Sequence, residues 1–398
     1  MIKIIIKTIP KKGYIGKQAA IVVKYGGADH IHKLPDGTKV EMPTGIAHFL
    51  EHKMFDDPLT NMFDEFTKNG ASVNAYTHFT HTVYYFNTTD NFKKNLELLF
   101  KLVSTPHFTD ENVEKEKGII LSEIDMYADN PYWQVYRGLH QALFVDSPFK
   151  QDILGTKESV QSITKEQLYN CYNHFYTTDN MSLVCVGDFK EDEIQDWAGL
   201  LKQKPSGVQP YHAKEAQHAA KPIIKKTMNV ATPLFQLGFK VIYNKPADPI
   251  TMVASSILSD MLAGESSSVY AQLYDSGMID SQFTAEYTGG KHSGIILFSG
   301  ESTDPEAVCD SILKAKTKVL DTNRFNIIKS KHMGRFLQSL NSIDSISAIQ
   351  TDLFTKGQDI DDITKAFNNV QMEDVELQLQ NCLKEDNFSL SIINPQGA

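Results

Sequence analysis

Apolar residues in the first half of the chain recur with two periods, one typical of strands and one of helices. Runs of β-branched and aromatic residues predict strands at 20–25, 82–87 and 181–186, and the isoleucines near the start predict an edge strand. Residues 91–103 carry apolar side chains at the i, i+3, i+4, i+7 spacing of one buried helix face. Thr109 is a candidate cap for a predicted helix at 111–129, and Thr164 is a candidate cap for another at 165–175.

The second half repeats this order of elements. The predicted elements, in chain order, are a strand at 235–243, helices at 249–262 and 269–275, a strand at 294–299, helices at 304–320 and 324–340, further helix, and a last strand at 388–393. The pattern predicts an α+β fold of two similar domains, each an antiparallel or mixed sheet with helices mainly on one face. The predicted domains are 1–204 and 223–398, joined by a polar, Pro-containing linker at 205–222.

Composition and charge argue against nucleic-acid-binding and membrane-spanning classes of protein. The 398 residues are 41% apolar and 22% charged, and 39 Lys and Arg against 49 Asp and Glu leave a net charge of −10. An acidic chain repels phosphate backbones, which argues against nucleic acid as a partner and leaves basic peptides. No apolar stretch reaches the roughly 18 residues of a membrane span or resembles a secretory signal. The four cysteines are far apart, so we expect reduced thiols and a cytoplasmic protein.

The string His48-Phe-Leu-Glu-His52 carries the most specific chemistry. On a helix, His48 and His52 are i and i+4, so both imidazoles project from one face and can bind one Zn²⁺. Glu51 lies one turn from His48, where its carboxylate can take a proton from a water at the metal. A five-residue string also arises by chance, so its context decides.

A third ligand is expected from the helix at 111–129. Glu116 and Glu123 are seven residues apart, which places both carboxylates on one face, within an apolar pattern that includes Ile120. Buried carboxylates are costly unless they are paired or bind metal. For the other acidic residues of this helix a solvated surface is the better interpretation: Glu111, Glu114 and Asp125.

The motif and its surroundings resemble the inverzincin zinc metallopeptidases, the superfamily of pitrilysin, insulin-degrading enzyme and mitochondrial processing peptidase. The likeness spans nearly the whole chain and is closest to the two-domain bacterial members. Besides the motif, it rests on GASVNAYT at 70–77 with Thr82 and Tyr84, on EKEKGIILSEI at 114–124, and on the loop at 155–163.

The resemblance implies a metallopeptidase α/β roll with one Zn²⁺ per chain. His48, His52 and Glu123 would bind the ion, and Glu51 would be the general base. Glu116 would be a catalytic-site carboxylate that orients a ligand histidine. The interval from His52 to Glu123 is slightly short for the family, which leaves Glu116 as the alternative third ligand.

The resemblance also implies a site for substrate at an exposed strand edge containing Asn74, Ala75 and Tyr76. An edge has unpaired N–H and C=O groups, so an extended peptide can add to it as a further strand. The alternative is a plain hairpin strand. The nearby His78 and His81 are interpreted as polar strand or turn residues.

One segment departs from the family pattern. Active members carry Leu-Arg-x-x-x-Gly-Leu-x-Tyr in the second domain, and the matching segment here, residues 273–280, has Tyr274 at the Arg position and Asp280 at the Tyr position. A carboxylate cannot donate a hydrogen bond to an oxyanion at neutral pH. The resemblance therefore implies the zinc-bearing half of a heterodimer whose second subunit supplies Arg and Tyr, with a homodimer as the alternative.

These features together predict a zinc endopeptidase that hydrolyses short or unfolded peptides inside a chamber formed with a partner subunit. By analogy, candidate substrates are leader or precursor peptides of a ribosomally made bacteriocin or peptide cofactor. The alternative is a scaffold or peptide-capturing subunit without activity. Such members usually lose a zinc ligand or the base, whereas this chain retains His48, Glu51, His52 and Glu123.

Overall fold

The protein is an α+β structure built around two five-stranded sheets, as the sequence predicts. The computed structural model describes residues 4–190, 194, 207–211, 214–315, 321–384 and 386–397. The strands are β1 Ile5–Pro10, β2 Lys17–Val23, β3 Ile31–Lys33, β4 Lys39–Glu41, β5 Ala71–Thr77, β6 Thr82–Thr88, β7 Met181–Gly187, β8 Gln209–Pro210, β9 Ile223–Met228, β10 Leu234–Ile242, β11 Thr284–Gly289, β12 Ser293–Glu301 and β13 Phe388–Pro395.

The helices connect these strands and cover the sheets. They are α1 Ile46–Lys53, α2 Met62–Lys68, α3 Phe92–Ser104, α4 Asp110–Ala128, α5 Pro131–Leu143, α6 Lys157–Gln161, α7 Lys165–Phe175, α8 Pro249–Ala263, α9 Ser268–Asp275, α10 Pro305–Ala315, α11 Thr322–Ser339, α12 Ile343–Lys356, α13 Ile360–Asn369 and α14 Met372–Cys382. Of the described helices, none combines the length and the apolar character needed to cross a membrane.

Contacts divide the chain into two compact units. Unit 1 consists of Met1–Asp125, Gln151–His212 and Ser339–Gly357, and unit 2 consists of Met126–Lys150, Ala213–Gln338 and Gln358–Ala398. Each unit therefore includes one segment from the other half of the chain. The contiguous boundaries 1–204 and 223–398 stay a prediction.

The two sheets have the same topology. The order in unit 1 is β1-β7-β2-β6-β5, and in unit 2 it is β9-β13-β10-β12-β11. In each sheet the first pair is parallel and the other three pairs are antiparallel. The matching order explains why the two halves of the sequence show the same succession of elements.

Each sheet is covered on both faces, which explains its continuous apolar strands. In unit 1, Ala19, Ile21 and Val23 of β2 belong to the main core, while Gln18 on the opposite face donates a 2.7 Å hydrogen bond to Asp344 of α12. In unit 2, α5 packs against β10 and β13. Strands buried on both faces are mostly apolar, and β7 is buried along its whole length.

Predicted helix ends agree with the structure where a capping residue is present in the sequence. Thr164 caps α7 in a capping box with Gln167. Helix α5, which the sequence pattern does not predict, is capped by Asn130 and has Pro131 in its first turn. The predicted helix at 304–320 is observed as Pro305–Ala315, and residues 316–320 lie outside the described part of the chain.

Part of the predicted linker is held by specific contacts. Residues 205, 206, 212 and 213 lie outside the described residues, and β8 pairs with β3. Further along, Glu215 accepts hydrogen bonds from the backbone N–H groups of Val145 and Asp146, each 2.9 Å long. The same carboxylate lies 2.6 Å from the Nζ of Lys240, whose side chain is fully buried within β10. Glu215 therefore compensates a buried charge at the centre of a sheet.

We predict that Glu215→Gln lowers the free energy of unfolding by about 3 kcal/mol, because the Lys240 ammonium loses its counter-charge while it stays buried. The matched control is Glu306→Gln, whose partner Lys225 lies at the surface, and it should change stability by no more than about 0.5 kcal/mol. Urea unfolding of the three proteins measures the difference. Equal stability of both variants would show that the buried pair contributes nothing.

Candidate active site

A close contact between two backbone segments sets the start of α1. Gly45 precedes the helix in the left-handed region, at φ 86°, and a Cβ there would overlap the carbonyl oxygen of Leu154. Gly155 faces the carbonyl of Thr44 in the same way. The hydroxyl of Ser159 donates to that carbonyl at 2.8 Å. Glycine at both positions lets the loop before α6 fix the point where α1 begins.

Helix α1 separates an apolar face from a polar one. Phe49 and Leu50 are fully buried in the core of unit 1. The polar face carries His48, Glu51 and His52, of which His48 and Glu51 are also buried. The apolar residues hold the helix in place, so the three polar side chains project from a rigid element.

Contacts near the C-terminal end of α1 join it to the start of α4. Thr109 and Asn112 cap α4 by exchanging hydrogen bonds of 2.9 and 3.1 Å. Lys53, only 1% exposed, donates to the backbone carbonyl of Asn112 at 3.2 Å and pairs with Asp56. Its ammonium is also 4.0 Å from Glu116. This buried lysine, which sequence analysis missed, fastens the two helices that carry the candidate site.

The two helices bring three predicted ligands together. The Nε2 atoms of His48 and His52 each lie 3.7 Å from Oε2 of Glu123. Within the described residues, these three form the one group of His, Cys, Asp or Glu side chains that could hold a metal, with all ligand atoms within 4.8 Å of one another. A tetrahedral zinc site separates its ligand atoms by about 3.3 Å, so the arrangement fits zinc.

Glu116 contacts the back of this cluster and not its centre. Its Oε1 accepts a 2.9 Å hydrogen bond from Nδ1 of His52, which leaves the Nε2 of that ring directed towards Glu123. This is the arrangement expected of a carboxylate that orients a ligand histidine, and it favours Glu123 over Glu116 as the third ligand.

Burial controls the protonation of the cluster. Burial, and then the neighbouring His52, lower the pKa of His48 to about 3, so its ring is neutral and can donate a lone pair to a metal. Burial also raises the pKa values of Glu51 and Glu123. For His52, burial lowers the pKa, but the hydrogen bond with Glu116 and the nearby carboxylates outweigh it, and the net shift is upward.

Thr77, the last residue of β5, holds the carboxylate of Glu51. Its hydroxyl donates a 2.7 Å hydrogen bond to Oε2 of Glu51 and lies 3.3 Å from the hydroxyl of Thr82. Thr82 in turn donates to the carbonyl of Tyr25 at 2.9 Å. Thr77 is the last residue of the GASVNAYT motif, but the motif alone assigns it no role. The alternation of side chains along a strand could have indicated its position, because Thr77 lies on the same face as Val73, which packs against the core.

The predicted substrate-binding residues lie on β5, at an edge of the first sheet. Ala75 packs against the core, and the alternating Asn74 and Tyr76 are exposed on the other face. The hydroxyl of Tyr76 lies 3.4 Å from that of Thr351 on α12. His81 is buried at the tip of the hairpin.

Unit 2 has a helix pair in the same topological position but with different chemistry. By the order of elements, α8 and α11 correspond to α1 and α4. They are joined by the buried carboxylate of Asp260, which lies 2.8 Å from Nζ of Lys331 and 3.0 Å from Nε2 of His332. Because one of these groups is a lysine ammonium, the cluster is an ion-pair network rather than a set of metal ligands.

The segment that departs from the family pattern lies at the end of α9 and after it. Tyr274 is exposed and its ring stacks on Tyr270 at 5.7 Å between centroids. Asp280 is exposed and accepts a 2.9 Å hydrogen bond from the backbone of Gln282. In this segment Asp280 caps a turn before β11.

Comparison with known proteins places the chain in a family. The family profile described as Insulinase (Peptidase family M16) matches residues 37–157, and the Peptidase M16 inactive domain matches residues 162–329. The Bacillus subtilis protein named uncharacterized zinc protease YmfH is 33% identical, over 98% of this chain and 94% of its own length. The chain belongs to the insulinase-type peptidase family M16. Its members include proteins named zinc proteases, in agreement with the cluster on α1 and α4.

Structural comparison extends over the whole chain. A crystal structure of an M16-like peptidase from Alicyclobacillus acidocaldarius is 34% identical and aligns with a TM-score of 0.92, covering 98% of this chain and 96% of that one. A protease from Helicobacter pylori, 20% identical, shares the fold with a TM-score of 0.84 over 98% of this chain and 97% of its own. Mitochondrial-processing peptidase subunit beta of Dictyostelium discoideum is 31% identical over 44% of this chain and 38% of its own length.

We predict that Gly45→Ala lowers the free energy of unfolding by about 3 kcal/mol or more, because the new methyl group adds overlap with the Leu154 carbonyl to the cost of a left-handed backbone. Gly70→Ala is the matched control, since Gly70 also has a positive φ, 73°, with nothing near its Cβ position. It should lose only about 1 kcal/mol. Thermal unfolding checks the order of the two variants, and equal losses would contradict the close-contact argument.

Proposed function

We propose that this chain is a zinc-dependent endopeptidase. The observation that carries the proposal is the convergence of His48, His52 and Glu123 on one point beside the buried carboxylate of Glu51. Two imidazoles and a carboxylate, with a fourth position left open, are typical of catalytic zinc sites. One Zn²⁺ per chain would supply a Lewis acid there.

Glu51 is proposed as the general base. Burial raises the pKa of its carboxylate, which favours proton transfer near neutral pH, and the Thr77 hydroxyl fixes one of its oxygens. The carboxylate takes a proton from the attacking water and later passes it to the leaving amine. Glu116 keeps the His52 ring in the orientation that a ligand needs.

The substrate is proposed to be a short or unfolded peptide that adds to β5 beside Asn74, Ala75 and Tyr76. Support comes from the position of β5 at a sheet edge and from the exposed faces of Asn74 and Tyr76. Main-chain pairing of this kind is largely independent of sequence, as a processing peptidase requires. Leader or precursor peptides of a ribosomally made bacteriocin or peptide cofactor remain the proposed class.

A partner subunit is proposed to complete the site and to close the chamber. The chain has three arginines, Arg137, Arg324 and Arg335, and none of them lies in the 273–280 segment, where the family pattern has its Arg. Arg324 is engaged with the carbonyl of Met261 at 3.0 Å. A second copy of this chain brings the same deviant 273–280 segment, so a heterodimer is favoured over a homodimer.

The four cysteines are buried without a disulfide, which supports the cytoplasm as the compartment.

We predict that Glu51→Gln retains one zinc per chain and lowers kcat at least about 100-fold, because the amide keeps the shape of the side chain but cannot accept the proton. Zinc content by elemental analysis and cleavage of a quenched fluorescent peptide are measured together. Glu123→Ala is the control, and it should lose both zinc and cleavage. A wild-type protein that binds no zinc would favour the alternative, a peptide-capturing scaffold subunit.

We predict that the chain alone is at least about 10-fold less active than its mixture with a second M16-type subunit that supplies Arg and Tyr, because oxyanion stabilisation by one donor is worth about 100-fold or more. The partner to test is an M16-type protein encoded by a neighbouring gene, one that lacks the HxxEH string but carries the Arg and Tyr. Cleavage rates and the mass of the complex are measured. Full activity of the chain alone would overturn the division of labour.

A further inference from the structure

The side chain and the main chain of Thr77 face two different parts of the candidate site. The hydroxyl donates to Oε2 of Glu51 at 2.7 Å. Glu51 is only 7% exposed, so this bond replaces much of the water that would otherwise solvate its carboxylate. The orientation of the proposed base therefore depends on where Thr77 lies.

The register of the hairpin directs the main chain of Thr77 towards the open edge. His78 donates a 2.8 Å hydrogen bond to the carbonyl of His81, so these two residues form a hydrogen-bonded pair. Such pairs alternate with non-hydrogen-bonded ones in an antiparallel ladder, and Thr77 pairs with Thr82 in the next position. By the same alternation, the N–H and C=O groups of Ala75 and Thr77 point away from β6.

The hydrogen bond of the Ala75 N–H agrees with this register. It is accepted at 2.8 Å by the side-chain oxygen of Asn74 and not by β6. The N–H is therefore directed outward, where the carbonyl of an added strand would bind it. The side-chain oxygen of Asn74 lies where such a carbonyl would bind.

The end of the hairpin is held from the other side. The N–H groups of Gly27 and Ala28 donate to the carbonyls of His78 and Phe79 at 3.0 and 2.8 Å. Because that side of the hairpin is already bonded, an added peptide can contact the main chain of Thr77 only at the open edge of β5. If an added peptide displaces the main chain of Thr77, the hydroxyl moves with it, because only a few bonds join it to the Cα. The hydrogen bond to Oε2 of Glu51 then changes as well.

We propose that Thr77 is a positioning residue that couples strand addition along β5 to the orientation of Glu51. The proposal rests on the peptidase function proposed above. It implies that peptide residues pairing with β5 contribute to kcat as well as to affinity, since their binding energy is used to orient the base.

The test compares Thr77→Val, which keeps the shape but removes the hydroxyl, with Thr77→Ser, which keeps the hydroxyl. Two quenched peptides share the residues around the scissile bond, and the longer one extends along β5. In the wild-type enzyme the longer peptide should have the higher kcat. Thr77→Val should retain zinc, lose about 10- to 100-fold in kcat, and have equal kcat for both peptides, while Thr77→Ser should restore most of the loss.

Thr80→Val is the matched control, because Thr80 lies in the same hairpin and its hydroxyl contacts His81 and not Glu51. It should keep the wild-type ratio of kcat between the two peptides. If Thr77→Val also keeps that ratio in an active enzyme, the coupling is wrong while the peptidase function stands. If the zinc-loaded wild-type enzyme, with its partner, cleaves neither peptide, the proposed function is wrong and the coupling with it.

A second measurement does not depend on turnover. In the Glu51→Gln variant the uncleaved long peptide should slow amide hydrogen exchange at Ala75 and Thr77, because both N–H groups gain a partner in the added strand. The short peptide should protect Thr77 less. Unchanged exchange at both amides in the presence of saturating long peptide would overturn the proposal.

Discussion

The hydrogen bond between His52 and Glu116 joins α1 to α4 in a region largely closed to water. An imidazole and two carboxylates at such a place are costly unless each has a partner, so the two helices must keep their crossing for the polar groups to remain satisfied. Lys53 adds a second buried link between the same helices. The geometry of the metal cluster is a consequence of this crossing.

The comparison between the two units shows how little the fold itself decides about function. Both sheets have the same strand order, and both place a helix pair at the corresponding position. In unit 1 the pair presents three side chains that could hold a metal, and in unit 2 it presents Asp260 with Lys331 and His332. Both arrangements bring buried polar side chains together, but only the first one has the donor set of a metal.

Strand β5 connects the two chemical requirements of a peptidase. Its side chains alternate between the core and the solvent, so Thr77, which donates to Glu51, and the exposed Asn74 and Tyr76 lie on opposite faces of a single strand. The N–H and C=O groups of Ala75 and Thr77 lie at the edge of the sheet. The proposed peptide site and the proposed base are thus connected by one short piece of backbone, with no need for a long-range change in the fold.

Local patterns in the sequence predicted many of the elements and the residue types of the site, but not helices α2, α5 and α6. The i, i+4 spacing of His48 and His52 and the capping residues of α4 and α7 depend on neighbours along the chain, and the structure shows the same helices. The contacts that complete the site come from residues far apart in sequence. The burial of Lys53 against Asn112, the bond from Thr77 to Glu51, and the packing of α12 on the first sheet are examples. Sequence determined which side chains could hold a metal, but only the tertiary structure decided which of them meet, because burial and hydrogen bonding between distant segments leave no local signal.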